Sequence, residues 1–289
     1  MTDEAPASQR VAGAAWTEER GTSDEGRQRL ERRPGGERES RTSGVAVIVG
    51  ATGAIGAAVV RRLTGRGLPV LAVARSKTDL DELAASVDLV TACPADIGSN
   101  DAIEAISSAL TGPVRMAVFA AGLPVRGSAD SIDPDALAAG SNIKLGGLLR
   151  LLHAVRDRLV PGSRFVTFAG SLGLEPRAHE AGPGAVNAGV FNLMRQISLL
   201  YGPRGVTTHT LSPGPADTPR LRRIVATVAA ERGAAEEDVW QEYVAQNSLG
   251  RLPTADELAW AVEMLLAPEA DILHGSVLYL DAGGHRGIH

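Results

Sequence analysis

Gly50-Ala51-Thr52-Gly53-Ala54-Ile55-Gly56 is the part of this sequence whose chemistry is easiest to name. Glycines at Gly50, Gly53 and Gly56 let the backbone turn tightly. They also let a diphosphate approach the bare N–H groups of a helix start, where the dipole favours an anion. The bland alternative is a plain tight turn. The placement favours the anion site, because the run follows VAVIV and opens AIGAAVVRRLTG, a strand-to-helix junction. Thr52 and Ile55 lie on the same turn. Arg75 ends the next apolar run, VLAVAR. A carboxylate there would hold the ribose hydroxyls of NAD. Ala74 offers none, and Arg75 offers a cation to a 2′-phosphate, so NADP(H) is expected over NAD(H). His179 and Glu180, in RAHEAGPGAV, read as a proton-transfer pair or as a solvated loop pair. Arg126 and Arg177 could meet a substrate carboxylate, or only solvent.

The elements that must position these residues alternate. VAVIVG, LPVLAVAR, VDLVTACPADI, VRMAVFAAG, SRFVTFAGS, VTTHTLSPG and SVLYLDAGG read as buried strands. Between them lie amphipathic helical stretches, one with Ser76 as a plausible N-cap and a long one over PDALAAGSNIKLGGLLRLLHAVRDRLV. Another helix follows, AVNAGVFNLMRQISLLYGPRG. The segment from about Pro215 to Asn247 reads as a helical excursion. Strict alternation implies an α/β fold, a single doubly wound parallel sheet of Rossmann type with helices on both faces. Ligands bind such sheets at the carboxyl ends of the strands. This domain is expected over residues 44–289. Residues 1–43 mix Arg, Glu, Gly and Ser with few apolar residues and read as a disordered tail.

Composition narrows the classes. The 289 residues carry a net charge of −5, with no basic stripe for nucleic acid and no polybasic run for anionic lipid. The single cysteine, Cys93, permits no internal disulfide and suits a reducing cytoplasm. No signal peptide or membrane-length apolar run is visible. A small-molecule substrate is expected, with no nucleic acid, no membrane and no metal.

Further motifs stand in order along the chain. They are Pro94-Ala95-Asp96-Ile97, Phe119-Ala120-Ala121-Gly122, Asn142-Ile143-Lys144, Pro213-Gly214 with Ala216 and Thr218, and LGRLPTADELAWAVEMLLAPEADILHGSVLYLDAGG. With the glycine turn, they make the sequence from about Val45 to Gly284 resemble the short-chain dehydrogenases/reductases. The resemblance implies that Asp96 and Ile97 contact adenine, and that Ala120, Ala121 and Gly122 lie beneath the cofactor ribose. It implies that Pro213, Gly214, Ala216 and Thr218 cradle the nicotinamide half, and that Asn142 helps hold a proton-relay water.

The same resemblance exposes departures. The turn is Gly-x-x-Gly-x-x-Gly, where the family has Gly-x-x-x-Gly-x-Gly. The family's chemistry uses a Tyr, a Lys four residues later and a Ser. No tyrosine in this chain has a lysine four residues on. The register of the helix places Pro183 at the Tyr position, Asn187 at the Lys position and Gly170 at the Ser position. Tyr201 lies far down the helix. Ser171 would serve if the loop shifts by one residue, and Asn187 is a candidate ribose contact. Asn142, Ser171 and His179 are therefore the candidate catalytic residues. Trp240 and Tyr243, three apart, read as a substrate lid or as packing.

Three functions remain open at this point. One is an oxidoreductase of altered mechanism on an activated small molecule in a biosynthetic pathway. The second is a non-redox cyclase, isomerase or dehydratase in the same pocket. The third is a silent NADP(H)-binding partner or sensor. A homo-oligomer, dimer or tetramer, is expected through the helices holding Ile143–Leu159 and Ala185–Leu200.

Overall fold

Seven short segments form seven parallel strands: β1 Val45–Val49, β2 Val70–Ala74, β3 Val90–Pro94, β4 Val114–Phe119, β5 Leu159–Phe168, β6 Thr207–Pro213 and β7 Val277–Leu280. Their order is β3-β2-β1-β4-β5-β6-β7, and every pairing is parallel. The chain starts mid-sheet, runs outward to β3, then returns to lay β4 on the other side of β1. That reversal leaves a crevice at the carboxyl ends of β1 and β4. This computed structural model describes residues 44–123 and 125–287. They belong to the compact unit Arg41–His289. The tail expected over residues 1–43 lies outside the described residues.

Nine helices among the described residues connect the strands: α1 Ala54–Gly65, α2 Lys77–Ser86, α3 Asp101–Ala109, α4 Pro134–Ser141, α5 Gly147–Val155, α6 Ala181–Tyr201, α7 Pro219–Arg232, α8 Glu236–Val244 and α9 Ala255–Met264. Alternation along the strands divides the core in two. Val47, Val49, Ala117 and Phe119 face α3, α5 and α6. Ala46, Ile48, Met116 and Val118 face α1, α2 and α9. The sheet is thus covered on both faces, as the sequence predicts. Ser76 caps α2 by accepting from Asp79 N at 3.2 Å.

Two local expectations need correction. The stretch read as one long helix is broken by a π-helical turn, Asn142–Gly146, between α4 and α5. Leu159 and Val160, read as its end, instead begin β5. Gly147 lets the helix lie close to the sheet, since a Cβ there would stand 3.1 Å from the Phe119 ring. The Gly182-Pro183-Gly184 segment, whose shape the sequence leaves undefined, forms the first turn of α6. Proline fits there because first-turn N–H groups have no intrahelical acceptor.

The excursion is helical as expected, comprising α7 and α8. It carries its own small core of Leu221, Val225, Ala229, Val239 and Leu252, against which Trp240 and Tyr243 pack. Trp240 also stacks under Arg222, 4.8 Å from the ring centroid. No helix among the described residues is long and apolar enough to cross a membrane.

Candidate functional site

The glycine turn sits at the carboxyl end of β1, where the fold opens. Gly50 adopts φ +82°, and a Cβ there would stand 2.9 Å from the backbone of Ala120 and Ala121. Its N–H donates to Val73 O at 2.9 Å, and Ala120 N donates to Val49 O at 2.9 Å. The turn and the loop after β4 are therefore locked side by side. Gly56 is tighter still: a Cβ would lie 2.8 Å from the Gly50 carbonyl carbon and collide with its oxygen. Gly53 is the N-cap of α1 and supplies no side-chain cap, and no acidic residue stands in the first turn. The leading N–H groups of α1, with Thr52 and Ile55 beside them, are left for an outside acceptor.

Arg75 is exposed just past β2, with no carboxylate partner among the described residues. Asp96 is exposed after β3 and uses one carboxylate oxygen to accept from Gly98 N at 2.9 Å. The Ile97 side chain is buried in the core, which leaves its backbone to face the loop. Ala120, Ala121 and exposed Gly122 form the other wall of the crevice.

Asn142 opens the π-helical turn. Its Nδ2 donates to Gly98 O at 2.8 Å, and its Oδ1 accepts from Arg150 Nη2 at 2.8 Å. The Nδ2 end thus joins this helix to the loop after β3, and the Oδ1 end holds Arg150, which bonds the same loop at Ile97 O and Asn100 Oδ1. The signal the sequence reading passed over is two residues on. Lys144 is buried, and its Nζ donates to Ala121 O at 3.0 Å and to Phe168 O at 2.7 Å. The Phe119 ring centroid is 5.5 Å from Nζ. The ammonium therefore ties the loop after β4 to the end of β5. Burial, with a smaller push from the charge of Arg220, lowers its pKa to about 7. A hint was available: the chain has two lysines, and this one sits in the apolar run NIKLGG.

β5 ends at Phe168, and Ser171 begins a short 3-10 turn, Ser171–Gly173. Ser171 is half-buried. A Cβ on Gly173 would fall 2.6 Å from Ala188 N, so the turn is pressed onto α6. Asn187 is buried on α6, and its Nδ2 would be 3.1 Å from a Cβ on Gly170. Gly170, Ser171 and Asn187 are thus brought together at the carboxyl end of β5. Pro183 is half-buried one turn before Asn187. Tyr201 is core-buried at the far end of α6, about 20 Å along the axis from Asn187.

The loop between Ser171 and α6 goes elsewhere. Ala181 N donates to Gly127 O at 2.9 Å, and Glu180 pairs with Arg126 at 3.1 Å. Arg177 donates to Gln246 Oε1 at 2.8 Å, which joins this loop to the segment after α8. His179 is exposed, within electrostatic range of Asp130. The solvated-loop reading describes His179 and Glu180 better than a proton-transfer pair.

Across the crevice, β6 runs into Pro213 and Gly214. A Cβ on Gly214 would stand 3.0 Å from Asp281 Cβ, so the loop hugs the end of β7. Thr218 caps α7, accepting from Leu221 N at 3.3 Å and donating to Ala216 O at 3.4 Å. Arg220 follows in the first turn, and its Nη2 donates back across the mouth to Leu123 O at 2.5 Å. Among the described residues no group of His, Cys, Asp and Glu could hold a metal.

These loops converge at the strand ends as in a dinucleotide-binding sheet, and the comparisons agree. A family model described as enoyl-(acyl carrier protein) reductase matches residues 50–285. The chain belongs to this short-chain dehydrogenase/reductase family. A cis-4-hydroxycyclohexanecarboxylate dehydrogenase of Sinomonas cyclohexanicum is 30% identical over 83% of this chain and 95% of its own. The short-chain reductase protein NovJ of Streptomyces niveus is 27% identical over 83% of this chain and 93% of its own. Among solved structures, a variant of actinorhodin polyketide ketoreductase with NADPH superposes with a TM-score of 0.77 at 26% identity. It covers 85% of this chain and 99% of that one.

Proposed function

We propose that this protein is an NADP(H)-dependent oxidoreductase acting on an activated small molecule, without the family's Tyr–Lys proton donor. The observation that carries the reading is the bare N-terminus of α1, held against Ala120 and Ala121 by glycines that no side chain could replace. Those residues fit a dinucleotide: the α1 turn faces a diphosphate, exposed Arg75 a 2′-phosphate, and Asp96 and Ile97 the adenine. Ala121, Gly122 and Asn187 face the ribose, with Pro213, Gly214, Ala216 and Thr218 toward the nicotinamide. The NADPH-bound ketoreductase among its structural relatives supports the same cofactor. When bound, the cofactor supplies a hydride.

The chain's own residues set what that hydride can reach. Reduction of a ketone leaves an alkoxide that needs a proton. Pro183 has none to give, and Asn187 carries no charge to tune a donor. An iminium carbon that takes a hydride becomes a neutral amine and needs no proton, and an activated alkene needs less acid help than a ketone. Ser171, half-buried beside Asn187, is the hydroxyl placed to hold a polar group of such a substrate. Asn142 acts as a positioning residue, through Gly98 and Arg150. His179 is too far toward solvent for a central part. The exposed Leu199 and Leu200 at the end of α6 and Leu149 on α5 support a homo-oligomer through these helices.

The test is NADPH oxidation with a panel of cyclic iminium ions, activated alkenes and ketones. Turnover of the first two classes with ketones at least a hundredfold slower is expected. Rapid ketone reduction would overturn the mechanism, and conversion of substrate with no nucleotide present would favour a non-redox enzyme.

A further inference from the structure

Around the mouth of the crevice, Arg126 meets Glu180, Arg222 meets Asp217 and Arg251 meets Glu257, at 2.6–3.1 Å. Arg220 meets no carboxylate among the described residues. Its Nη2 donates to the neutral carbonyl of Leu123, and its Nη1 lies over Gly122, 2.7 Å from where a Cβ would be. Gly122 must therefore be bare for the guanidinium to lie there.

The electrostatic surroundings of Arg220 are unfavourable to it. Arg220 is exposed as a whole, but partial desolvation of its guanidinium, then the charges of Arg126 and Arg223, push its pKa below the ordinary arginine value. Its field also reaches the buried ammonium of Lys144. A cation in the first turn of α7 further opposes the helix dipole. Three arginines thus crowd one mouth above the buried Lys144, and among the described residues only Arg126 of the three pairs with a carboxylate there. An anion from outside would offset the repulsion among these charges and the opposing helix dipole, and a planar guanidinium suits two oxygens of a phosphate or carboxylate.

We propose that Arg220 is an anion clamp, backed by Arg126 and Arg223, that grips an acidic oxygen group on the molecule lying over Gly122. The proposal rests on reading the crevice as a dinucleotide site. The group has two possible sources, the diphosphate of the dinucleotide or an acid group on the substrate.

The experiment compares wild type with R220Q, which can keep the bond to Leu123 O but loses the charge, and with R220K, which keeps the charge. NADPH and adenosine 2′,5′-bisphosphate are titrated into each, and oxalate into each NADPH-loaded protein. Weakening of NADPH by about tenfold in R220Q, with the bisphosphate unchanged and R220K intermediate, supports the clamp and assigns the diphosphate. Unchanged NADPH with loss of oxalate binding supports it and assigns a substrate acid. If both are unchanged in R220Q, the clamp is wrong.

If wild type binds neither nucleotide, the dinucleotide reading fails, and inorganic pyrophosphate then decides the clamp alone. Binding to wild type about tenfold tighter than to R220Q supports it, and equal binding overturns it. Should R220Q fail to fold, R223Q replaces it. About threefold weakening of the same ligand is then expected, and no change counts against the clamp.

Discussion

Lys144 offers the sharpest physical test of the site. Its ammonium is buried, bonded to Ala121 O and Phe168 O, and shares its surroundings with Arg220. A fall from the ordinary 10.5 to about 7 corresponds to about 5 kcal/mol between the protonation states. Because the folded pKa is depressed, the unfolded chain binds more protons between about pH 7 and pH 10.5. Stability must therefore rise with pH across that window, by roughly 2–3 kcal/mol from pH 7 to pH 9. Lys144→Met removes the titration. It also leaves two carbonyls without their donor, at about 1–3 kcal/mol each, but ends the cost of a buried charge. The wild-type urea midpoint should climb by about 1 M from pH 7 to pH 9 relative to K144M. With two lysines in the chain, a ¹³Cε-lysine spectrum can also be followed directly, one signal titrating near pH 7. Parallel midpoint curves for the two proteins, or a Lys144 signal that stays protonated beyond pH 9.5, would refute this reasoning.

Three further outcomes are expected. Gly56→Ala drives a methyl into the Gly50 carbonyl and should weaken NADPH binding at least tenfold while lowering the melting temperature, measured by titration and thermal melts. Arg75→Gln should cost NADPH about tenfold in affinity and leave NADH unchanged, as read from paired titrations. His209 is buried and neutral, with its pKa lowered to about 4, first by burial and then by Arg164. Its unfolded form binds protons more readily, so stability should fall by about 3 kcal/mol as pH drops from about 6.5 to about 4. In urea melts His209→Phe should lose much less over that range.

The strands and most helices are legible because their signals are local. Val45–Val49 is apolar throughout and Val114–Phe119 is apolar but for Arg115, and the glycine turn falls between the first run and an amphipathic helix. The sequence stops being informative where hydrogen-bond register or distant loops decide the outcome. Nothing in NIKLG announces a π-helical turn, and Leu159-Val160 fit a helix end as well as a strand start. Pro183 argues against a helix locally, yet belongs to one because it falls in the first turn. Lys144 takes its role from two carbonyls 23 and 24 residues away, one in the loop after β4 and one at the end of β5, and Arg220 from a loop 97 residues earlier. His179 is a residue type suited to proton transfer, but the contacts of its neighbours Glu180 and Ala181 with Arg126 and Gly127 draw it to the rim.

The central claim is that the crevice between β1 and β4 binds NADP(H). A fluorescence titration of the purified protein with NADPH and, in parallel, NADH tests it most directly. Saturable binding of NADPH in the micromolar range, at least tenfold tighter than NADH, is the expected result. Failure to bind either nucleotide would contradict it.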